Sequence, residues 1–557
     1  MRSEDALAII IGALFLFAFL GFLGVSADNT QYLLGASERL NSDYLANDWF
    51  VQTTESFHPL FEIYMTWWMR LDQLVAGLFV WYAINLLLLC AAVLMLLKYF
   101  GVNERVNLGL IVALGMLLAG VRYGWGMYEV LTGQALPAYM AYPPAIASIV
   151  FLFKRRFLVA ACLVAITFLV HHGFGSLLVL CLLGPAIVTL PRTRRECLQV
   201  GIGAAIVLAV FLPVVIGTLD KDAGQASDLA ILFYGRSPQH FAVQYSDMQT
   251  QLRGVHIFLS SLLLAFAMRT PEVRLKVLAL VVNIAALCAL GYLLLEIWYT
   301  PTFVRLFPFR AIPILVVLNS CIIASVLLDA AASVREVASI TLIALSSICF
   351  QYSFSLSFAL LATAVFLPLL KTMGRPASTG NARAALTIVC AAAAISLGVS
   401  TLTNRPSFFR PWPAPSQLEL ASALNRYTSK NAIIVVPPWL SGVRISAERA
   451  IVVNTKNFPV YGPEMVQWAD RMRDVSGVDP RQAKQYLQMG ADIWQLYAQG
   501  YQSRSLQDLV TAAHKYKAGF ILVRSDSRFH WEAEQKRVQS LWSGNGYALY
   551  EVPDSVG

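Results

Sequence analysis

Apolar residues in this chain come in long blocks, not in alternation with polar ones. Runs centred on residues 7–25, 74–97, 106–119, 144–153, 157–170, 174–190, 200–217, 255–267, 277–297, 311–328, 338–350, 354–370 and 384–401 are separated by short polar linkers. Segments of roughly 15 to 22 such residues cross ~30 Å of hydrocarbon as helices, and a soluble core of this length would alternate instead. The pattern predicts a polytopic α-helical membrane protein with about thirteen spans. The first run has no small-residue cleavage motif behind it and is read as an anchor, not a removable signal.

Past residue 401 the pattern changes. Arg405-Pro406 and Arg410-Pro411-Trp412-Pro413 mark a linker, because proline cannot continue a helix. Helices are expected at 416–427, 463–473, 480–487 and 506–516, with strands at 432–436, 450–453, 519–523 and 547–552. The chain therefore divides into a transmembrane domain (residues 1–402) and an extracytoplasmic α/β domain (residues 403–557). Within the first, residues 26–72 form a long outer loop with interfacial helices, and Trp49, Phe50, Trp67 and Trp68 supply aromatic anchors.

Composition agrees with this reading: 57% of the 557 residues are apolar and only 13% charged. With the N-terminus in the cytoplasm, one set of linkers carries twice as many basic residues as the other, through clusters such as Lys154-Arg155-Arg156, Arg192 to Arg195, and Arg269 to Lys276. The positive-inside rule then places the C-terminal domain on the periplasmic or extracellular side of a bacterial inner (plasma) membrane. These linkers account for most of the net charge of +9, so nucleic acid is not expected as a partner. All eight cysteines lie in or beside apolar runs, and the tail has none, which excludes a disulfide framework there. The tail also lacks a Gly-rich phosphate loop, HExxH and GxSxG, and no internal repeat supports an inverted-repeat transporter.

Candidate chemistry gathers at the outer boundary. Asp28 follows the first run closely and Asp48 comes later in the same loop; a carboxylate there can deprotonate an acceptor hydroxyl or hold a divalent cation against a phosphate. His58-Pro59 and the tight turn His171-His172-Gly173 offer imidazoles for phosphate contact, with one of the two adjacent histidines, His172, taken as the one that reaches the pocket. Arg305 and Arg310 stand at the mouth of a span, where guanidinium forks match phosphate oxygens. Arg122, Tyr123, Trp125, Tyr128 and Glu129 crowd the second outer loop, and Lys456 follows a strand end in the tail.

An early acid with Tyr32 four residues on, a second acid at Asp48, many further spans, the Leu306-Phe307-Pro308-Phe309-Arg310 loop and an exported C-terminal domain resemble the GT-C superfamily of integral-membrane glycosyltransferases. The family's acid is often followed directly by another acid; here Asn29 stands in that place. The resemblance implies transfer of a sugar from a polyprenyl-phosphate donor to an acceptor glycan, lipid or protein at the bilayer surface. Asp28 or Asp48 would be the base, and His58, His172, Arg305, Arg310 and Tyr32 the substrate-binding residues. No organic cofactor is required; magnesium or manganese is the cation such acids would hold. The alternatives are an envelope-polysaccharide polymerase or ligase relying on arginine and histidine, a lipid-linked glycan transporter, and a non-catalytic envelope-assembly subunit.

Overall fold

The structure, a computed structural model, describes residues 3–53, 58–103, 105–120, 123–219, 226–298, 300, 303, 306–329, 332–366, 379–404, 412–459 and 463–553. A helix occupies each of the apolar runs, so the chain is a multi-pass membrane protein. Six helices are long and apolar enough to cross a bilayer unaided: Ser3–Leu20, Leu74–Tyr99, Arg194–Val214, Met248–Ala267, Pro271–Ile297 and Pro308–Leu328. Others are shorter. Tyr142–Phe153 has 12 residues and extends about 18 Å, well under the ~30 Å of hydrocarbon. Pro137–Met140 lies directly ahead of it, so the two form one broken segment.

The first helix is shorter than the apolar run that predicts it. It stops at Leu20, because the chain reverses through Gly21 and Gly24, both at φ near +60°, where a side chain would be strained. The Leu23 amide then donates to the Gly133 carbonyl at 2.8 Å, which docks this turn on the second loop. The next helix, Ala27–Leu40, begins at once, so Asp28 stands in a helical first turn, not in an open loop. Ser26 caps it: its hydroxyl accepts from the Asn29 amide, and the Asn29 carboxamide oxygen accepts from the Ser26 amide at 2.9 Å. Trp49–Thr53 and Pro59–Arg70 complete the helical first loop.

Basic linkers meet one another at one end of the bundle. Arg155 pairs with Glu196 at 2.8 Å, the Lys276 ammonium donates to the Phe153 carbonyl at 2.7 Å, and Arg269 bridges Asp329 and Glu336. The first loop, the His171 turn, the 226–245 segment and the tail meet at the other end.

The tail is the expected α/β unit. Strands β1 (Ile433–Val435), β2 (Ala450–Ile451), β3 (Phe520–Arg524), β4 (Trp542–Gly544) and β5 (Tyr547–Glu551) form one sheet in the order β2-β1-β3-β5-β4. Pairings β1–β2 and β1–β3 are parallel, whereas β5 runs antiparallel to both β3 and β4. Its core is not its own alone. Leu229, Phe233 and Phe241 from the transmembrane half are buried with Trp468, Tyr497 and Val523 of the tail, so the hydrophobic boundary does not follow the linker at 405–411, which lies outside the described residues.

Candidate active site

Asp28 projects from the first turn of its helix and accepts an ion pair from Lys456 of the tail at 2.7 Å, with two fifths of its side chain exposed. Four residues on, one helical turn away, Tyr32 packs its ring against His58 at 4.8 Å. Burial, followed by the Asp28 charge, pushes the Tyr32 phenol up to about 12. The helix is fixed to the second loop by Asn29, whose amide group donates to the Ala135 carbonyl at 2.8 Å. Glu129 of that loop belongs to the same neighbourhood: its charge and that of Asp28 both raise the buried Tyr139 phenol.

His58 and His171 face each other with ring centroids 4.7 Å apart. His58 is held down to about 3 by burial, then by His172 and Arg310, so it is neutral near pH 7, and its buried Nδ1 has no partner. His171 caps the His172–Val188 helix by accepting the Phe174 amide on Nδ1 at 3.2 Å. Burial and then the neighbouring Arg310 keep that ring neutral as well. Arg310 Nη1 lies 3.4 Å from its Nε2, so the guanidinium stands directly against the histidine pair. A guanidinium there matches an acceptor such as a phosphate oxygen.

Arg310 is set by the Pro308–Ala311 turn, entered through Phe307 at φ +47°. Its guanidinium lies 4.1 Å over the Phe307 ring and 4.9 Å over Tyr128. His240 stacks on the other aromatic partner, Tyr128, at 4.6 Å and donates from Nδ1 to the Gly126 carbonyl at 2.7 Å, which leaves Nε2 as an acceptor. Gly126 is required there: it sits at φ +79°, and a Cβ would come within 2.8 Å of Phe309 Cβ. Burial and then, after the Gly126 bond, the charges of Arg310, Arg236 and Lys456 bear on His240, which is held to about 4. Three cations from three separate parts of the chain thus surround one neutral imidazole.

Arg236 donates to Ser237 Oγ and to the Lys456 carbonyl, both at 3.1 Å, and among the described residues its buried Nε has no acceptor, nor has that of Arg310. Among the described residues neither guanidinium pairs with a carboxylate. Such cations beside Asp28 are a donor set for an anion. Among the described residues no group of three His, Cys, Asp or Glu side chains converges.

Asp48, expected as a second catalytic acid, is placed elsewhere. It is fully buried at the junction of loop and tail, and both oxygens are committed: Oδ1 accepts from the Phe50 and Val51 amides, and Oδ2 from Arg444 Nε at 2.7 Å and the Ile451 amide at 2.9 Å. Such a carboxylate has no face left for a substrate. His172, chosen over its neighbour from sequence, turns back to the end of the preceding helix, Phe157–Val170, with Nδ1 3.0 Å from the Phe168 carbonyl. His171 takes the position beside Arg310. Arg305 lies outside the described residues. Arg236 and His240 were not legible beforehand; the dense Ile231 to Arg236 apolar run ending in a basic residue is the one signal that pointed there.

Residues 417–475, which include Arg444 and Lys456, match a family described as Domain of unknown function (DUF6798). No curated protein matches the chain. Among solved structures, the archaeal oligosaccharyltransferase AglB from Archaeoglobus fulgidus, in complex with an inhibitory peptide and a dolichol-phosphate, is similar at 10% identity and TM-score 0.50, over 94% of this chain and 69% of that one. Arabinofuranosyltransferase AftD from Mycobacteria is similar at 13% identity and TM-score 0.49, over 100% of this chain, which spans only 40% of that protein's length. ArnT from Cupriavidus metallidurans, bound to undecaprenyl phosphate, is similar at 11% identity and TM-score 0.45, over 99% and 98% of the two chains. The chain therefore shares the overall fold of the oligosaccharyltransferase AglB.

Proposed function

We propose that this protein transfers a sugar from a polyprenyl-phosphate carrier to an acceptor at the outer face of a bacterial inner membrane, with its N-terminus in the cytoplasm and its C-terminal domain outside. The observation that carries the reading is the half-exposed Asp28 held by Lys456, with Arg236 and Arg310 close by and, among the described residues, neither guanidinium paired with a carboxylate. Asp28 takes the proton of the acceptor hydroxyl as its oxygen bonds to the anomeric carbon. The bond from that carbon to the carrier phosphate breaks, and the departing phosphate collects charge that the arginines and Lys456 stabilise. Neutral His58 and His171 keep this anion site free of further titration near pH 7.

The match to a lipid-phosphate-dependent fold supports the donor class. The loop and linker charges support the orientation. A polymerase or ligase is the second reading, favoured by the Arg310–His171–His58 cluster, which needs no acid. Complementation of a strain lacking the protein separates the two. Loss of glycan transfer with both Asp28→Asn and Arg310→Ala supports the transferase, and full activity of Asp28→Asn with loss only in Arg310→Ala supports the ligase.

A further inference from the structure

Among the described residues, the tail meets Asp28 through the side chain of Lys456, whose backbone is anchored on both sides. The Lys456 carbonyl accepts from Arg236 Nη2 at 3.1 Å, the Thr455 amide donates to the Pro438 carbonyl at 2.8 Å, and Asn454 and Asn457 close the turn through their side chains at 2.7 Å. Beyond this anchor the ammonium, on a flexible four-carbon stem, meets Asp28 in an ion pair whose side chains are 33% and 40% exposed. An ion pair so open to solvent is weak and exchanges readily. Beside it are two guanidiniums, each with a buried Nε that has no partner among the described residues, and Arg310 stands against His171. An anion bound among these donors competes with Asp28 for the lysine.

We propose that Lys456 is an exchangeable counter-ion: Asp28 holds it in the absence of donor, and it moves to the phosphate of the incoming lipid-linked sugar, which frees the Asp28 carboxylate. This rests on the reading of the cleft as a lipid-phosphate site. It makes the tail a switch that exposes the base only when the leaving group is seated.

The test is a double-mutant cycle on the full-length protein in nanodiscs, with binding of a synthetic polyprenyl phosphate followed by tryptophan fluorescence. Lys456→Met is expected to weaken binding about 10-fold, the scale of one charge-assisted hydrogen bond. Lys456→Gln, which keeps a hydrogen bond to Asp28 and so the local fold, should show a similar loss. Asp28→Asn, by releasing the lysine, should tighten binding by about 3-fold or more, and most of that gain should vanish in the Lys456→Met background. A pair with a merely structural role would show no such gain. The inference is overturned if wild-type protein binds the lipid and the lysine variants bind equally well, or if Asp28→Asn tightens binding to the same degree with and without Lys456. Wild-type protein that does not bind the lipid overturns the transferase reading itself, and this inference with it.

Discussion

Asn29 explains why a single acid, not a pair, opens the first loop. Its carboxamide oxygen closes a reciprocal cap with Ser26 while its amide group reaches the Ala135 carbonyl, two roles that together need both an acceptor and a donor. Asn29→Asp keeps the first and loses the second, leaving a buried carboxylate against a carbonyl. It should cost about 1–3 kcal/mol of stability, seen as a lower thermal midpoint that magnesium or manganese does not restore; recovery by metal would contradict this assignment. The histidines give a second test at this scale. His58 and His240 are held to about 3 and about 4, below the ordinary 6.5, so between those values and 6.5 the unfolded chain binds protons that the folded one does not. Stability is then complete above pH 6.5 and falls on acidification by ~1.4 kcal/mol per pH unit for each histidine. Denaturation of the solubilised protein between pH 7 and pH 5 should show this slope, and His240→Gln should reduce it by one histidine's share. Asp28 and Arg310 could be singled out in the sequence because boundary charges stand out against apolar runs, whereas Tyr32 entered only through the family resemblance. The choice between His171 and His172 could not, since it depends on which ring caps the following helix.

The loop and tail elements are joined by a buried ion pair, and this is where Asp48 belongs. Arg444 is 1% exposed, donates to Asp48, to Asn457 Oδ1 at 3.0 Å and to the Ile451 carbonyl at 3.3 Å, and lies over the Phe50 ring. Tyr44 and Trp49 of the loop bond to the Arg444 carbonyl and to Gln467 beside it. Removing one partner strands the other charge in the interior, so Arg444→Met should destabilise the protein by about 3–5 kcal/mol. Limited proteolysis should then release the tail; an unchanged digestion pattern and melting curve would contradict a structural role for this pair. At this scale the sequence patterning located four of the five strands. The missed strand, β4, is short and half-exposed, and enters β5 through Asn545 and Gly546, both at positive φ, a hairpin signal in a stretch with little alternation. The division at residue 402 missed the shared core, because Leu229, Phe233 and Phe241 look like an ordinary outer loop until the tail packs on them.

For the whole molecule, the basic linkers and the candidate site lie at opposite ends of the bundle. The proposed orientation is open to direct labelling. Cys197 is exposed at the basic end, and the tail carries no cysteine. A membrane-impermeant thiol reagent applied to spheroplasts should spare Cys197 and label Gln507→Cys at the exposed face of the tail; the reverse pattern would invert the topology. The central claim is that Asp28 activates an acceptor to take a sugar from a lipid phosphate held by the neighbouring cations. Its most direct test is mass measurement of lipid-linked sugars in a strain lacking the protein and rescued with wild type or with Asp28→Asn. The expected result is one polyprenyl-linked sugar that accumulates without the protein, disappears with wild type and persists with Asp28→Asn. A lipid-linked pool indistinguishable between the wild-type and Asp28→Asn strains would contradict the account.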